Sequence, residues 1–381
     1  MDFDLLEEQK MLQDALRNFA MKEVEPLVDE AEKTSSFPLA LFPKMGDLGY
    51  LCLSYSPEYG AAGMGKLGEC IAVEEVAYYS VGFAAATMVQ GGIGTAAIYK
   101  HGSEDQKHKY LVPAIKGRKI ASFGLTEPNA GSDAASLQTT ASKRNGKYYL
   151  NGTKIFITNG NISDFVVTAA YTDKSKGPRG GMSLFIVERD FPGFTRTKLH
   201  KFCARSSEIA ELHFDDCEVP AENLIGEEGR GFPYVIESLT GGRISHAARS
   251  LGLARAAFDN ALAYAQERVQ FGQPIATFQA NAFKLARMAM EIDATRNMIY
   301  RAAWLYDQGR PHLKEAAMAK LFASETAAHT TVEALQLNGG YGLMEESVAQ
   351  RYFRDARMGT VTEGTSEIQL RVIAREIGIS S

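Results

Sequence analysis

The sequence has few of the residues that form disulfides or bind metals. It has four cysteines in 381 residues, and none stands in a CxxC or similar metal-ligand spacing. Its seven histidines are scattered without an HxxxH pair, so we expect no metal site. The cysteines are predicted to be free thiols in a reducing, cytoplasmic compartment, and they are Cys52, Cys70, Cys203 and Cys217.

An excess of positive charge and long apolar runs are also missing. The chain has 41 Lys and Arg against 46 Asp and Glu, a net charge of −5 and a pI of about 5.9, which does not favour a nucleic-acid partner. We see no apolar run of the length that crosses a bilayer, so no membrane partner is expected. The acidic start MDFDLLEEQK lacks the features of a secretory signal or a transit peptide.

The sequence does contain enough apolar material for a large core. Hydrophobic residues make up 45% of the chain and charged residues 23%, which argues against disorder. A length of 381 residues suits two or three domains. The patterns predict an α+β protein with a helical domain over 1–117, an antiparallel β domain over 118–228 and a four-helix bundle over 229–381.

The two outer regions have the spacing of helices. Leu5, Leu12, Leu16 and Phe19 fall on one face of a helix predicted within residues 1–33. The segment 50–64 is rich in Gly, Pro and Tyr and is predicted to be a loop. Further helices are predicted at 39–48, 65–79, 81–99, 103–117, 231–269, 277–308 and 312–338.

The middle region has the pattern of short strands. Asn145-Gly146 between two β-type runs is a strong hairpin signal. Strands rich in β-branched and aromatic residues are predicted at 120–125, 139–143, 147–150, 165–171, 183–187 and 209–214.

Two glycine clusters resemble dinucleotide fingerprints but lack the required context. Residues 91–94 are GGIG and residues 339–342 are GGYG. Neither follows a strand or opens a βαβ unit, so we reject that interpretation. Both are expected to be places where helices or ligands approach the backbone closely.

Two polar turns of the β region are candidate cofactor sites. Residues 123–133, FGLTEPNAGSD, would offer backbone N–H groups and hydroxyls to a pyrophosphate or a flavin edge, although ordinary turns share this composition. In the segment 151–160, Phe156 and Thr158 share one face of a strand. That arrangement suits a planar cofactor, and ordinary strand packing gives the same pattern.

Glu363 is the candidate catalytic residue. It lies in the segment 361–369, VTEGTSEIQ, where Gly364 would permit close approach to a ligand and Thr365 and Ser366 would cap a helix. A carboxylate just before a helix has two interpretations. It is either a surface acid that complements the helix dipole or a positioned general base.

Six motifs together resemble the acyl-CoA dehydrogenase family, above all its short- and branched-chain members. They stand in the order and spacing of that family and cover essentially the whole chain, and they are TEPNAGSD, LNGTKIFITNG, ERVQFGQPIATFQ, QLNGGYG, RYFRDAR and TEGTSEIQ. The resemblance implies an FAD enzyme that oxidises an acyl-CoA thioester to the trans-2-enoyl-CoA.

The resemblance implies a set of FAD and substrate contacts. The 123–132 loop would meet the isoalloxazine and pyrophosphate, the 268–279 segment the FAD of a neighbouring subunit, and 336–340 the adenosine. The implied FAD contacts are Phe123, Leu125, Thr126, Ser132, Phe156, Thr158, Arg268, Gln270, Phe271, Phe278, Gln279, Gln336, Gly339, Gly340, Thr365 and Glu367. The implied substrate contacts are Ser132, Thr240, Gly242, Arg243 and Gly364.

Glu363 matches the family's catalytic base, which would take the α-proton while flavin N5 accepts the β-hydride. The alternative position for the base in some members is Gly242 here, which excludes it. Two departures from the family pattern are Phe156, where Trp is more common, and Thr362, where Tyr is common. A raised pKa is expected for Glu363 if an apolar acyl chain expels water, and the helix after it would oppose the rise.

The resemblance also implies partners. A homotetramer is expected, with an electron-transferring flavoprotein that docks near Glu222. An ordinary surface glutamate is an equal alternative for Glu222 itself. The acyl group stays open, but a dicarboxylate is disfavoured because the predicted helix 81–99 has no cation before Lys100. Alternatives on the same scaffold are an acyl-carrier-protein thioester dehydrogenase and an acyl-CoA oxidase, and a non-catalytic flavin-binding relative is a third.

Overall fold

The chain folds in the predicted order of a helical region, a β region and a second helical region. The computed structural model describes residues 4–379, so residues 1–3 of the first predicted helix lie outside the described residues. The four cysteines are buried and free, as predicted.

The first region holds helices that pack around one apolar core. The predicted helix 103–117 opens on the expected capping box, in which Ser103 Oγ accepts a 3.2 Å hydrogen bond from Gln106 N. A π-helical segment, Ala20–Val24, continues the first helix into the second. The helices are α1 (Glu7–Phe19), α2 (Glu25–Thr34), α3 (Leu41–Asp47), α4 (Gly65–Tyr79), α5 (Val81–Gly91), α6 (Ala96–His101), α7 (Glu104–Gln106) and α8 (Val112–Ile115).

The helix predicted over 81–99 is interrupted, which corrects the sequence prediction. After α5 the chain turns at Gly92 and Gly94 and resumes as α6. A Cβ on Gly94 would lie 2.7 Å from Val89 O, and one on Gly91 would lie 2.9 Å from Cys52 Cα. The cluster GGIG is therefore a site of close backbone approach, as predicted.

One stretch of the described chain, Val81–His101, is long and apolar enough to pass a length-and-composition test for a membrane span, contrary to the expectation from sequence. Of that stretch's most apolar window, 94% is buried inside the protein, as in a core helix.

The middle region is one mixed sheet with most strands antiparallel. Asn145 and Gly146 both have positive φ, 50° and 74°, as the predicted hairpin turn requires. The strand Phe194–Leu199 was missed because four of its six residues are polar. The elements are β1 (Ala121–Gly124), β2 (Thr140–Arg144), β3 (Lys147–Thr158), β4 (Phe165–Tyr171), α9 (Gly177–Gly181), β5 (Met182–Glu188), β6 (Phe194–Leu199) and β7 (Ile209–Pro220).

The sheet order is β1-β4-β2-β3-β7-β6, with β5 paired to β4. Strand β1 runs parallel to β4, with Ala121 beside Phe165, and β2 meets β4 in one parallel pair. The prediction of a wholly antiparallel domain was wrong on these two contacts. A long connection between β1 and β4 permits parallel pairing, which a short hairpin cannot.

The last region is a bundle built on one long helix. Helix α10 (Gly231–Glu267) has 37 residues and packs against α4, α11 and α12. Small residues allow this closeness, since a Cβ on Gly252 would lie 2.3 Å from Glu74 O of α4. The other elements are β8 (Val269–Gln270), β9 (Gln273–Pro274), α11 (Gln279–Asp307), α12 (Leu313–Asn338), α13 (Val348–Gly359) and α14 (Ser366–Glu376).

A buried charge cluster joins the first region to the bundle. The carboxylates of Glu74 and Glu75 on α4 have side chains only 1% exposed. Arg255 of α10 binds both of them, at 2.8 and 3.0 Å, and Arg296 of α11 binds Glu74 at 3.0 Å. Buried carboxylates are stable in this form only while their cations remain.

We expect Arg255→Met to destabilise the protein by about 3–5 kcal/mol, because it leaves two buried carboxylates under-compensated. Urea unfolding followed by circular dichroism measures this change. The matched control is Arg144→Met, which removes an exposed ion pair to Asp216 and should change stability far less. Equal losses in the two variants would contradict a special role for the buried cluster.

Candidate active site

Glu363 lies in a short turn whose backbone is fixed from two sides. It joins α13 to α14 with φ 57°, and Gly364 follows with φ 86°. Lys320 Nζ of α12 donates to Gly364 O at 2.7 Å, and Gln369 Nε2 donates to Glu363 O and Gly364 O at 3.0 and 2.9 Å. The positive φ of Gly364 favours glycine, and a Cβ there would also lie 2.7 Å from Gln369 Nε2 and displace that donor.

The start of α14 confirms the predicted cap. Thr365 is the N-cap residue, and its Oγ1 accepts from Ile368 N at 3.4 Å. The cap and the two donors to the turn hold the backbone of Glu363 in a left-handed conformation, which is unusual for a residue with a side chain.

The Glu363 carboxyl group lies over Gly242 of α10. A Cβ at Gly242 would stand 3.3 Å from Glu363 Oε2 and 3.1 Å from Ile93 Cγ2. The Oε2 atom is buried and has no hydrogen-bond partner. The missing side chain at Gly242 therefore makes room for a carboxylate that is dry and free to accept a proton.

Opposing effects act on the pKa of Glu363. Burial is the largest and raises the pKa above its ordinary value, while the positive charges of Arg243, Arg249, Lys320 and Lys66 lower it, in that order. Because the pKa of the carboxyl group remains raised in sum, its base strength exceeds that of an exposed glutamate.

Burial also disfavours the charged forms of the cations around Glu363. Burial lowers the pKa of Lys320 to about 8 and that of Arg249 to about 10. Arg243 is buried, and its Nε has no hydrogen-bond partner. A ligand that gains negative charge beside these groups would be stabilised electrostatically.

Lys66 is a cation that the sequence analysis did not associate with Glu363. It lies on α4, and its Nζ is 2.9 Å from both carboxylate oxygens of Glu69. Glu69 also accepts from Ser54 and Ser245. The positive charge of Lys66 is therefore already paired.

The predicted cofactor loop 123–133 is fixed by a buried lysine. Lys154 Nζ donates to Leu125 O at 3.1 Å and pairs with Glu127 Oε1 at 2.7 Å. Glu127 also accepts from Thr139 N and Thr139 Oγ1. Neither Lys154 nor Glu127 was singled out from sequence, although a lysine inside a β-type run was a signal that it needs a buried partner.

The residues of that loop differ in exposure. Phe123 is buried in the hydrophobic core, Leu125 and Thr126 are half-buried, and Ser132 is exposed. The exposed turn and the fixed backbone before it form a rigid rim that a ligand could contact.

Phe156 and Thr158 share a face, but β3 is irregular there. The pairing of β3 with β7 shifts between Lys154 and Ile157, and Phe156 has φ 60°. The bulge turns Phe156 outward, so that its side chain is 63% exposed, while Ile157 points into the core. An exposed aromatic on a bulged strand next to a polar loop is a suitable wall for a planar group.

The remaining predicted residues form two further groups. Thr240 and Arg243 lie on α10 with Gly242, but the Thr240 hydroxyl already donates a hydrogen bond to Ile236 O at 2.8 Å. The 268–279 segment lies beside the 339–342 turn, where the Arg268 guanidinium is 6.0 Å from the Tyr341 ring. Phe271 at the tip of the β8–β9 hairpin is 94% exposed.

Two more residues near Glu363 were missed. His246 and Arg249 lie one and two turns after Gly242 on α10, and both contact Thr362. Spacing of four and seven from Gly242 was the available signal, because it places all three positions on one face of a helix.

Comparisons with known proteins agree with this geometry. Family models described as the acyl-CoA dehydrogenase N-terminal, middle and C-terminal domains match residues 6–118, 122–217 and 229–378. The short-chain-specific acyl-CoA dehydrogenase of Clostridium acetobutylicum is 43% identical, with 99% of this chain and all of the relative covered.

Two solved structures share the whole fold. Butyryl-CoA dehydrogenase from Megasphaera elsdenii has a TM-score of 0.96 and 42% identity, over 99% of this chain and 100% of that one. A chain from a structure described as the electron transferring flavoprotein of Acidaminococcus fermentans has a TM-score of 0.97 and 43% identity, with both chains fully covered. On the family models and these identities, the chain belongs to the acyl-CoA dehydrogenase family.

Proposed function

We propose that Glu363 is the base that removes the α-proton of the acyl-CoA thioester. The family's reaction is the FAD-dependent dehydrogenation of an acyl-CoA to the trans-2-enoyl-CoA. The observation that carries the proposal is the buried, unpartnered Oε2 of Glu363 over Gly242. A general base needs this combination of a raised pKa and a free lone pair.

The neighbouring cations would stabilise the negative charge that develops on the thioester as the proton leaves. Arg243 and Lys320 are buried close to Glu363, and low local polarity strengthens their fields. The backbone N–H of Glu363 is proposed to donate to the thioester oxygen. The turn held by Lys320 and Gln369 would keep both groups in place during the reaction.

Two observations support an FAD site at the 123–133 loop and Phe156. Phe156 presents an exposed ring on the bulged strand, and the 123–133 loop is held by Lys154 and Glu127. We propose that this loop, Thr158 and Phe156 hold the flavin, with Thr365 and Glu367 near the adenine. Bound FAD would supply the acceptor for the β-hydrogen. The chain's own part is to orient the thioester, exclude water and take the α-proton.

We propose a short, uncharged acyl group. The relatives named for short-chain and butyryl substrates support a small pocket. The cations that the structure brings near Glu363 are Arg243, Arg249, Lys320 and Lys66, none of which lies on the helix 81–99. Lys66 is already neutralised by Glu69, so it offers no free charge to the second carboxylate of a dicarboxylate substrate.

We propose that the protein assembles with copies of itself and with an electron-transferring flavoprotein. The C-terminal region exposes large apolar side chains, among them Phe271 of the β8–β9 hairpin and Phe283 and Met290 of α11. Such exposure favours an interface between copies, and we propose a tetramer. If so, Arg268, Gln270, Phe271, Phe278 and Gln279 would reach a neighbour's cofactor, together with Gln336, Gly339 and Gly340. The exposed Glu222 remains our proposal for the docking point of the flavoprotein.

The domain limits remain proposals at 1–117, 118–228 and 229–381. The last strand of the middle region, β7, ends at Pro220 and α10 begins at Gly231, which is compatible with the second limit. A cytoplasmic location is also proposed, and it is supported by four free, buried thiols.

The central test is Glu363→Gln. We expect the purified variant to keep FAD and bind butyryl-CoA, while flavin bleaching by butyryl-CoA slows by about 10²–10⁴-fold, because the amide cannot accept the α-proton. Stopped-flow absorbance of the flavin measures this rate. Glu376→Gln, which changes an exposed carboxylate at the end of α14, is the control and should react like the wild type. Rapid bleaching in Glu363→Gln would remove Glu363 from the mechanism.

A second test concerns the loop proposed to hold FAD. Lys154→Met together with Glu127→Gln removes the buried ion pair without leaving a lone charge, so the fold should persist while the loop loses its anchor. We expect FAD affinity of the apoprotein to fall by roughly tenfold or more, as measured by fluorescence titration. Lys143→Met, on the exposed part of β2, is the control. Unchanged affinity in the double variant would show that the loop does not hold the cofactor.

A further inference from the structure

A polar stripe on α10 runs along the turn that carries Glu363. Gly242, His246 and Arg249 have i, i+4 and i+7 spacing and therefore share one helix face. Gly242 lies under the Glu363 carboxyl group, and His246 and Arg249 lie under Thr362. Helix α10 therefore contacts Thr362 and also leaves space for the carboxyl group of Glu363.

The hydrogen bonds fix the protonation state of His246. Arg249 Nη2 is 2.6 Å from His246 Nε2, and an arginine can only donate, so Nε2 must be an unprotonated acceptor. Thr362 Oγ1 lies 2.7 Å from the same nitrogen, donates its single proton to Met358 O at 3.0 Å and accepts from Arg249 Nη2 at 3.4 Å. The ring is fully buried, and its Nδ1 has no hydrogen-bond partner.

The surrounding charges agree with a neutral ring. Burial, with the positive charges of Arg249 and Lys320, holds the pKa of His246 well below its ordinary value. A neutral imidazole is an uncharged acceptor for the buried guanidinium of Arg249. It therefore satisfies Arg249 without adding negative charge.

Among the acidic groups near Arg249, Glu363 has the largest electrostatic effect on it. The carboxyl groups of Glu363 and Asp355 and the Cys203 thiol all raise the pKa of Arg249 against burial, with Glu363 the largest of the three. If Arg249 lost its partners His246 and Thr362, the unpartnered Oε2 of Glu363 would offer it a carboxylate. Such a pair would stabilise the ionised form and weaken the base.

We propose that His246 and Thr362 are positioning residues that hold Arg249 away from Glu363 and so preserve the strength of the base. This inference rests on the proposed role of Glu363. It assigns the two residues a task that requires no contact with the reacting atoms. The other charges facing Glu363, from Arg243, Lys320 and Lys66, stay in place when His246 or Thr362 is changed.

The test uses the FAD-loaded enzyme and variants His246→Leu, Thr362→Val and Thr362→Ser. The rate of flavin bleaching by butyryl-CoA should rise with pH as Glu363 ionises. In His246→Leu the midpoint of this rise should shift to lower pH by about one unit. The reason is that Arg249, without His246, would pair with Glu363 and lower its pKa. The limiting rate should fall by at most about tenfold, since the base is weaker by the same factor.

An equilibrium measurement separates base strength from later steps. An acyl-CoA with sulfur in place of the β-carbon can lose its α-proton but has no β-hydrogen to transfer. Its long-wavelength absorbance beside oxidised flavin, followed against pH, reports proton removal alone. We expect the same downward shift in His246→Leu, a smaller shift in Thr362→Val, and wild-type behaviour in Thr362→Ser, which keeps the hydroxyl.

Thr331→Val is the matched control, because Thr331 is a buried threonine of α12 whose hydroxyl donates only within its own helix. It should leave both pH profiles unchanged. Lower rates without a shifted profile in His246→Leu and Thr362→Val would overturn the inference in favour of a purely structural role. If His246→Leu does not retain FAD, Thr362→Val decides, because Thr362 is exposed. A wild type that butyryl-CoA fails to bleach would instead count against the proposed function.

Discussion

The site depends on one backbone constraint, the left-handed turn at Glu363 and Gly364. A non-glycine residue in this conformation costs on the order of 1–3 kcal/mol. Lys320 contributes a charged hydrogen bond to the turn and Gln369 adds two more, which together can offset that cost. The turn then places the Glu363 carboxyl group over Gly242, where no side chain of α10 blocks it. A glutamate with an ordinary helical backbone at this position would point elsewhere.

Strained backbone recurs at the residues that the sequence resemblance singled out. Phe156, Phe271 and Glu363 have φ values of 60°, 53° and 57°, although bulky residues rarely adopt positive φ. At Phe156 and Phe271 this backbone turns an aromatic ring toward the outside, whereas at Glu363 it directs a carboxyl oxygen into a buried space. Strain of this kind persists only where surrounding contacts overdetermine it, as the bulge in β3 and the two donors to the Glu363 turn do here.

Local sequence signals predicted much of this fold, and long-range contacts account for the rest. Asn145-Gly146 predicted a hairpin, and Thr365 predicted a helix start, because both signals act within a few residues. The parallel pairing of β1 with β4 could not be predicted, since it joins residues more than forty positions apart. Motif resemblance identified Glu363, but it could not show that Lys320 and Gln369 hold the turn or that Lys66 is paired with Glu69.

The long helix α10 holds both the residues that contact the Glu363 turn and the arginine that neutralises the buried carboxylates. Gly242, His246 and Arg249 serve the turn of Glu363, and Arg255, less than two turns later, neutralises the buried carboxylates of α4. Between them Gly252 allows α4 to approach to within contact of the α10 backbone. A shift of α10 along its axis would therefore disturb the ion cluster and the space over Gly242 together. The buried ion pairs add little net stability compared with apolar packing, but their geometry fixes the register of α10 against α4. That register also sets the position of the space over Gly242 that the Glu363 carboxyl group occupies.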